Sequence, residues 1–305
     1  MLLGTVLLWA LNITVTKYVL EHGFQPLAYA TIRYFAATTL FWIFTYARER
    51  SFRIERRDIW LVLLAAMLIF VNQIGFVYGV DDSDASTVAL ILGTTPIFIG
   101  IIATFARVEH VQRSFWAAAA VSFVGVGFVA WGSGGFSAHV HGDLFALLTA
   151  STWAAYSVTI APLMRRYSPF RISALVLAIG WIPLAAAGLR QTSGQSFHFG
   201  SMTWIGFAYA VVGPLFMTNI LWFTAISRVG PARASLFANL QPFFAVLFAL
   251  LILGEHLDRY ELIGAAAIFG GIAFERNRRR RPASSPADRP VEAAAGASAA
   301  PPVEA

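Results

Sequence analysis

The chain has 305 residues, of which 58% are hydrophobic and only 12% charged, against roughly 25% charged in an ordinary soluble domain. A soluble fold of this length has no way to hide that much apolar surface, and the absence of cysteine excludes disulfides, thiolate metal sites and thiol nucleophiles. The net charge of +6 would point to nucleic acid only if the basic residues formed one face, and they do not.

Apolar stretches able to cross about 30 Å of hydrocarbon run over 2–20, 26–47, 59–80, 85–106, 114–132, 142–164, 170–190, 204–226, 232–253 and 259–275. They predict an all-α integral membrane protein of ten transmembrane helices. The first stretch lacks the basic n-region and cleavage site of a signal peptide, so it is read as a span, and the missing n-region also fits a start further upstream. It carries Trp9, Asn12 and Thr16 on one face, at spacings of three and four. Lys17, the sole lysine, is near enough to the end of this stretch to snorkel. The second stretch holds Arg33 about two turns in. There it either braces helix ends through backbone carbonyls or grips a substrate carboxylate with both arms.

The third stretch contributes Asn72 and Gln73, the sixth Trp153 and Tyr156, the eighth Asn219, and the ninth Asn239 and Gln241. A polar side chain in hydrocarbon is costly unless it faces the bundle interior or a wet cavity. The candidate substrate-binding set is therefore Trp9, Asn12, Arg33, Asn72, Gln73, Trp153, Tyr156, Asn219, Asn239 and Gln241. Interhelical hydrogen bonding is the competing role for the amides. Pro96, Pro214 and Pro242 each free a backbone carbonyl, for a packing kink or for a cavity. Gly125 and Gly127 in the fifth stretch, with Gly264, Gly270 and Gly271 in the tenth, allow close helix packing and leave a homodimer surface as an option.

All sixteen carboxylates lie in loops, at helix ends or in the tail, and no histidine falls within a span, so the usual intramembrane proton relay is missing. No metal-ligand cluster, nucleotide loop or Ser-His-Asp arrangement stands out. The expectation is no catalytic residue, no metal and no cofactor. If the amino terminus is cytoplasmic, 18 of the 22 Lys and Arg residues fall on the cytoplasmic side and only Arg190 and Arg259 outside, which puts both termini in the cytoplasm. The basic loops are then membrane-surface charge rather than a nucleic-acid face. From 282 onward the chain is mostly Pro, Ala, Ser and acidic residues, the composition of a disordered tail.

Sliding the sequence by 146 residues aligns Glu109 to Arg113 with Glu255 to Arg259, Pro96 with Pro242, Gly125 with Gly271 and Phe128 with Phe274. A shift of 144 pairs Trp9 with Trp153. Such self-similarity marks a duplication. With five spans per copy the second copy enters from the opposite side, a plan that recurs in secondary transporters, with the substrate near the midplane.

The early Trp of each half, Arg33, and the Pro-(Ile/Phe)-Phe, Glu-loop and Gly-rich run of each half resemble two EamA domains of the drug/metabolite transporter superfamily. The resemblance covers 1–132 and 142–275 and leaves 276–305 as a cytoplasmic tail. It implies a bacterial inner-membrane permease, often an exporter of amino acids, other metabolites or toxic compounds. It also implies a central cavity lined by helices 1, 3, 4, 6, 8 and 9. Two positions depart from symmetry: Ala161 aligns with Lys17, and no basic residue in the seventh stretch matches Arg33. The leading expectation is a secondary transporter of a small molecule, with a non-transporting membrane interaction protein as the alternative.

Overall fold

The computed structural model describes residues 2–105, 113–132, 139–218, 220–221 and 240–280. Among these residues no strand occurs, and helices follow one another with short breaks. They are α1 (Leu2–Glu21), α2 (Pro26–Glu49), α3 (Ile59–Asp82), α4 (Ala85–Leu92), α5 (Thr95–Phe105) and α6 (Arg113–Gly132). Then come α7 (Val140–Ile160), α8 (Pro169–Gly194), α9 (Ser201–Ala210), α10 (Gln241–Phe248) and α11 (Arg259–Arg280). Their ends follow local chemistry. α2 and α8 both start on a proline, whose missing N–H would be unpaired there anyway. The Ser168 side chain caps α8 by accepting from the Arg171 N–H. α2 stops at Arg50, whose left-handed backbone (φ 49°) returns its N–H to the Tyr46 carbonyl.

Six segments are long and apolar enough to cross a membrane: Leu3–Glu21, Pro26–Glu49, Arg56–Asp82, Ala85–Ile102, Val140–Arg165 and Pro169–Gly194. Shorter apolar helices cover Trp116–Val129, Ser201–Met217 and Gln241–Leu253. The bundle turns large apolar side chains outward: Phe105 is 78% exposed, Trp60 77% and Leu251 73%. Water would drive such a surface to aggregate, whereas hydrocarbon is its natural solvent. This is a multi-pass membrane protein.

Three of the apolar stretches are less regular than their composition suggests. The run 85–106 divides at Gly93 and Thr94 into α4 and α5. The Thr94 hydroxyl donates to the Ile91 carbonyl (2.7 Å) and the Thr95 hydroxyl to the Leu92 carbonyl (2.6 Å), so side chains take acceptors that helix N–H groups would use. After α9 the chain widens into a π-turn over Val211–Met217 that contains Pro214, which has no N–H to return to the preceding turn. A second π-turn, Ala249–Leu253, follows α10.

The main helix pairs are α3 on α7, α2 on α8, α6 on α11, α3 on α8, α5 on α7, and α1 on α9 and α10. Small residues set two of these seams. A Cβ at Gly125 would stand 2.7 Å from the Gly264 carbonyl oxygen, and one at Gly75 would stand 2.7 Å from the Thr149 hydroxyl. Only glycine permits either approach. Because Asp58 precedes α3 and Asp82 ends it, these residues name the two opposite ends of the bundle below.

Candidate substrate site

Arg33 is seven residues into α2 and 2% exposed. Its Nη2 donates to the Gln73 Oε1 (2.7 Å), and its Nη1 lies at long hydrogen-bond distance from the Tyr29 hydroxyl (3.4 Å) and the Asn12 Oδ1 (3.5 Å). Gln73 Nε2 donates in turn to the Asn72 Oδ1 (3.0 Å). Asn72 Nδ2 donates to the Thr149 carbonyl (2.8 Å) and the Thr152 hydroxyl (3.1 Å) on α7. The Thr16 hydroxyl meets the Tyr29 hydroxyl at 3.1 Å. One polar chain thus links α1, α2, α3 and α7. By helix rise Asn12, Arg33, Asn72 and Gln73 lie about 10–15 Å from the Asp82 end, close to the middle of a 30 Å core.

Aromatic rings surround this chain. The guanidinium carbon of Arg33 lies 4.8 Å from the Tyr29 ring centre, 5.5 Å from Phe76 and 5.7 Å from Tyr34, so the charge is partly balanced by ring quadrupoles. One turn along α1 from Asn12, Trp9 meets Trp153 edge to face at 6.5 Å, and Trp153 leans on Tyr156 at 5.5 Å.

The structure therefore brings seven of the expected residues into two adjoining groups: Asn12, Arg33, Asn72 and Gln73, and Trp9, Trp153 and Tyr156. Gln241 opens α10 at a half-buried position and makes no bond to the Arg33 chain. Asn219 and Asn239 lie outside the described residues. Tyr29, Thr149 and Thr152 belong to the chain and escaped the sequence reading. Tyr29 had a signal, since it stands one helical turn before Arg33. Among the described residues no group of three His, Asp or Glu could hold a metal ion.

Both ends of the bundle are tied by polar contacts between distant parts of the chain. At the Asp82 end, Lys17 Nζ donates to the carbonyls of Asp81 (3.1 Å) and Ser83 (3.0 Å), so it caps the end of α3. Glu255 accepts from the N–H groups of Ala85 and Ser86 (2.9 Å each) and from the Ser86 hydroxyl (2.6 Å), closing the start of α4. The Thr87 hydroxyl donates to Glu261 Oε1 (2.8 Å). Asp84, beside them, has its carboxyl pushed above the usual range by burial and then by the negative charge of Glu255, with His139 and Lys17 opposing. At the Asp58 end, Arg166 pairs with Asp58 at 2.6 Å, the Tyr167 hydroxyl donates to Asp58 (2.7 Å), and Arg171 pairs with Glu49 at 2.9 Å.

A sequence profile of the EamA-like transporter family matches residues 1–131 and 140–275. Among similar proteins, Uncharacterized transporter YetK of Bacillus subtilis is 23% identical over 84% of this chain and 80% of its own length. Uncharacterized transporter YcbK of the same organism is 24% identical over 88% of this chain and 89% of its own. An uncharacterized transporter of Archaeoglobus fulgidus is 24% identical over 88% and 94%. A solved structure, described only as the crystal structure of a protein, superposes with a TM-score of 0.62 at 17% identity, covering 91% of this chain and 96% of that one. That last likeness concerns the fold alone. With the profile match spanning almost all of its apolar length, the chain belongs to the EamA-like transporter family.

Proposed function

We propose that this protein is a secondary transporter of ten spans, built as two five-helix halves of opposite orientation. It resides in the bacterial cytoplasmic membrane with both termini in the cytoplasm. It moves a small metabolite, such as an amino acid or a related compound, out of the cell by alternating access of a midplane site to the two sides. The observation that carries this reading is the contact of Trp9 with Trp153. These residues occupy the same position of the two halves, and equivalent residues touch only where a pseudo-twofold axis passes between them.

The helix pairs support the same symmetry. Exchanging the halves maps α2 on α8 onto itself, α6 on α11 onto itself, and α3 on α7 onto α9 on α1. The polar chain through Arg33 crosses from α3 of the first half to α7 of the second, where relative motion of the halves would open or close it. The alternative, a non-transporting interaction protein on this scaffold, draws on the full pairing of Asn72 and Gln73 with neighbouring groups, which is also what helix glue requires.

Two experiments test the reading. Reporter fusions after residue 275 and within 133–141 should report the cytoplasm and the outside respectively, and the same side for both would refute the topology. Metabolite profiles of medium from overexpressing and deleted cells should differ in at least one small compound, higher with overexpression. Identical profiles would favour the scaffold.

A further inference from the structure

Among the described residues the deep guanidinium of Arg33 has no counter-charge. Ion pairs among the described residues are Lys17 with Glu21, Arg57 with Glu55, Arg166 with Asp58 and Arg171 with Glu49, and all sit at the ends of the bundle. The segment 222–239 contains no Asp or Glu, and every other carboxylate belongs to a loop, a helix end or the tail. A buried ion without a partner costs several kcal/mol even after relaxation. Cation–π contacts and neutral acceptors offset only part of that. The Arg33 Nε, moreover, is buried with no hydrogen-bond partner among the described residues. A guanidinium that only braced helices would be expected to reach backbone carbonyls, and among the described residues this one reaches none: its acceptors there are the side chains of Gln73, Tyr29 and Asn12.

We infer that Arg33 is the anchor for the carboxylate of a small organic monocarboxylate, the headgroup of the molecule transported. The inference rests on the transporter reading for the fate of that molecule, though the binding site stands without it. The planar fork of arginine matches a carboxylate with two parallel bonds. A single guanidinium balances one negative charge, so a phosphate dianion would leave excess charge in the apolar interior. Asn12 and Gln73 accept weakly or through neutral oxygens, and either can yield its N–H donor partner to the stronger anionic acceptor. Trp9 stands one turn from Asn12 on the same face of α1 and meets Trp153, which offers a flat apolar wall beside the charged anchor. The arrangement suits a carboxylate carried on a flat or apolar body.

The test is titration of the purified full-length protein in detergent with benzoate, benzamide, benzylamine and inorganic phosphate. Unfolding temperature and tryptophan fluorescence report binding. Benzoate should bind saturably, and its neutral, cationic and phosphate counterparts should not. Arg33→Lys, which keeps the charge and loses the fork, should weaken benzoate by at least about tenfold, and Arg33→Gln should abolish binding. Should Arg33→Gln fail to fold, the lysine variant alone makes the comparison. A silent benzoate titration, equal binding of benzamide, a preference for phosphate, or unchanged affinity in Arg33→Lys would each overturn the inference. Benzoate binding by a protein that exports nothing would refute the transporter reading and leave the anion site standing. Export of an amine or a neutral compound with a silent benzoate titration would do the reverse.

Discussion

Glu255→Gln should loosen the Asp82 end of the bundle. In the structure this carboxylate accepts three hydrogen bonds, from two N–H groups and one hydroxyl at the start of α4, across 169 or 170 residues of chain. A glutamine keeps one acceptor oxygen, turns an NH2 group toward a donor, and loses the attraction between an anion and a helix N-terminus. One lost charge-assisted bond and the dipole contribution come to about 2–3 kcal/mol. Partial exposure of Glu255 to solvent reduces this to about 1–2 kcal/mol, or about five- to thirtyfold in the ratio of closed to open forms. The chain has no native cysteine, so Thr16→Cys supplies a single thiol at a fully buried position five residues inside the end of α1. Labelling of this thiol by a membrane-impermeant maleimide from the Asp82 end should accelerate by that factor in the Glu255→Gln background and slow from the Asp58 end. Unchanged rates from both sides in a folded double variant would refute the idea that Glu255 holds this end shut.

Further outcomes follow from the same geometry. Gly125→Ala should lower thermal stability by about 1–3 kcal/mol of overpacking, because its Cβ would meet the Gly264 carbonyl at 2.7 Å and Ile268 Cγ1 at 2.9 Å, whereas Gly127→Ala, with nothing within 4 Å, should be neutral; equal melting temperatures for the two would refute the seam. Asp84→Asn should stabilise the protein at neutral pH, since no side-chain cap bond is lost. The raised pKa means that ionising Asp84 costs stability. That cost is absent below about pH 4 and complete once pH has risen through the folded value, so the stability gap between variant and parent should widen from pH 4 to 7; a gap that narrows over this range would be the wrong sign. Transport should persist in proteoliposomes when a pH gradient is collapsed, because Asp, Glu and His stand only at the ends of the spans and not as a relay through them, and Lys17 is occupied at the α3 carbonyls. Strict dependence of flux on the pH gradient, retained in Lys17→Met, would contradict this.

Arg33 was conspicuous in the sequence as a lone charge well inside a span, and Asn12, Asn72 and Gln73 stood out for the same reason, since hydrocarbon tolerates few polar groups. Lys17 was legible only as a charge near a helix end, and its bonds to the carbonyls of Asp81 and Ser83, 64 and 66 positions away, were not. Thr149 and Thr152 were not, because a threonine in a helix ordinarily bonds its own preceding turn, as both also do here with the carbonyls of Phe145 and Leu148. Nothing local marked Glu255 as the cap of α4, since its partners lie 169 and 170 positions away. The division of 85–106 was hidden for another reason: apolar composition sets the length of a stretch in hydrocarbon, whereas the break depends on where the Thr94 and Thr95 hydroxyls turn.

Alternating access of the midplane site is the central claim, and a single cysteine at Asn12 tests it most directly. Asn12→Cys would be labelled with an impermeant maleimide in right-side-out and inside-out membrane vesicles at equal protein abundance. The account predicts reaction from both sides, with Glu255→Gln raising the rate from one side and lowering it from the other. Reaction from one side only in both backgrounds, or from neither, would contradict it.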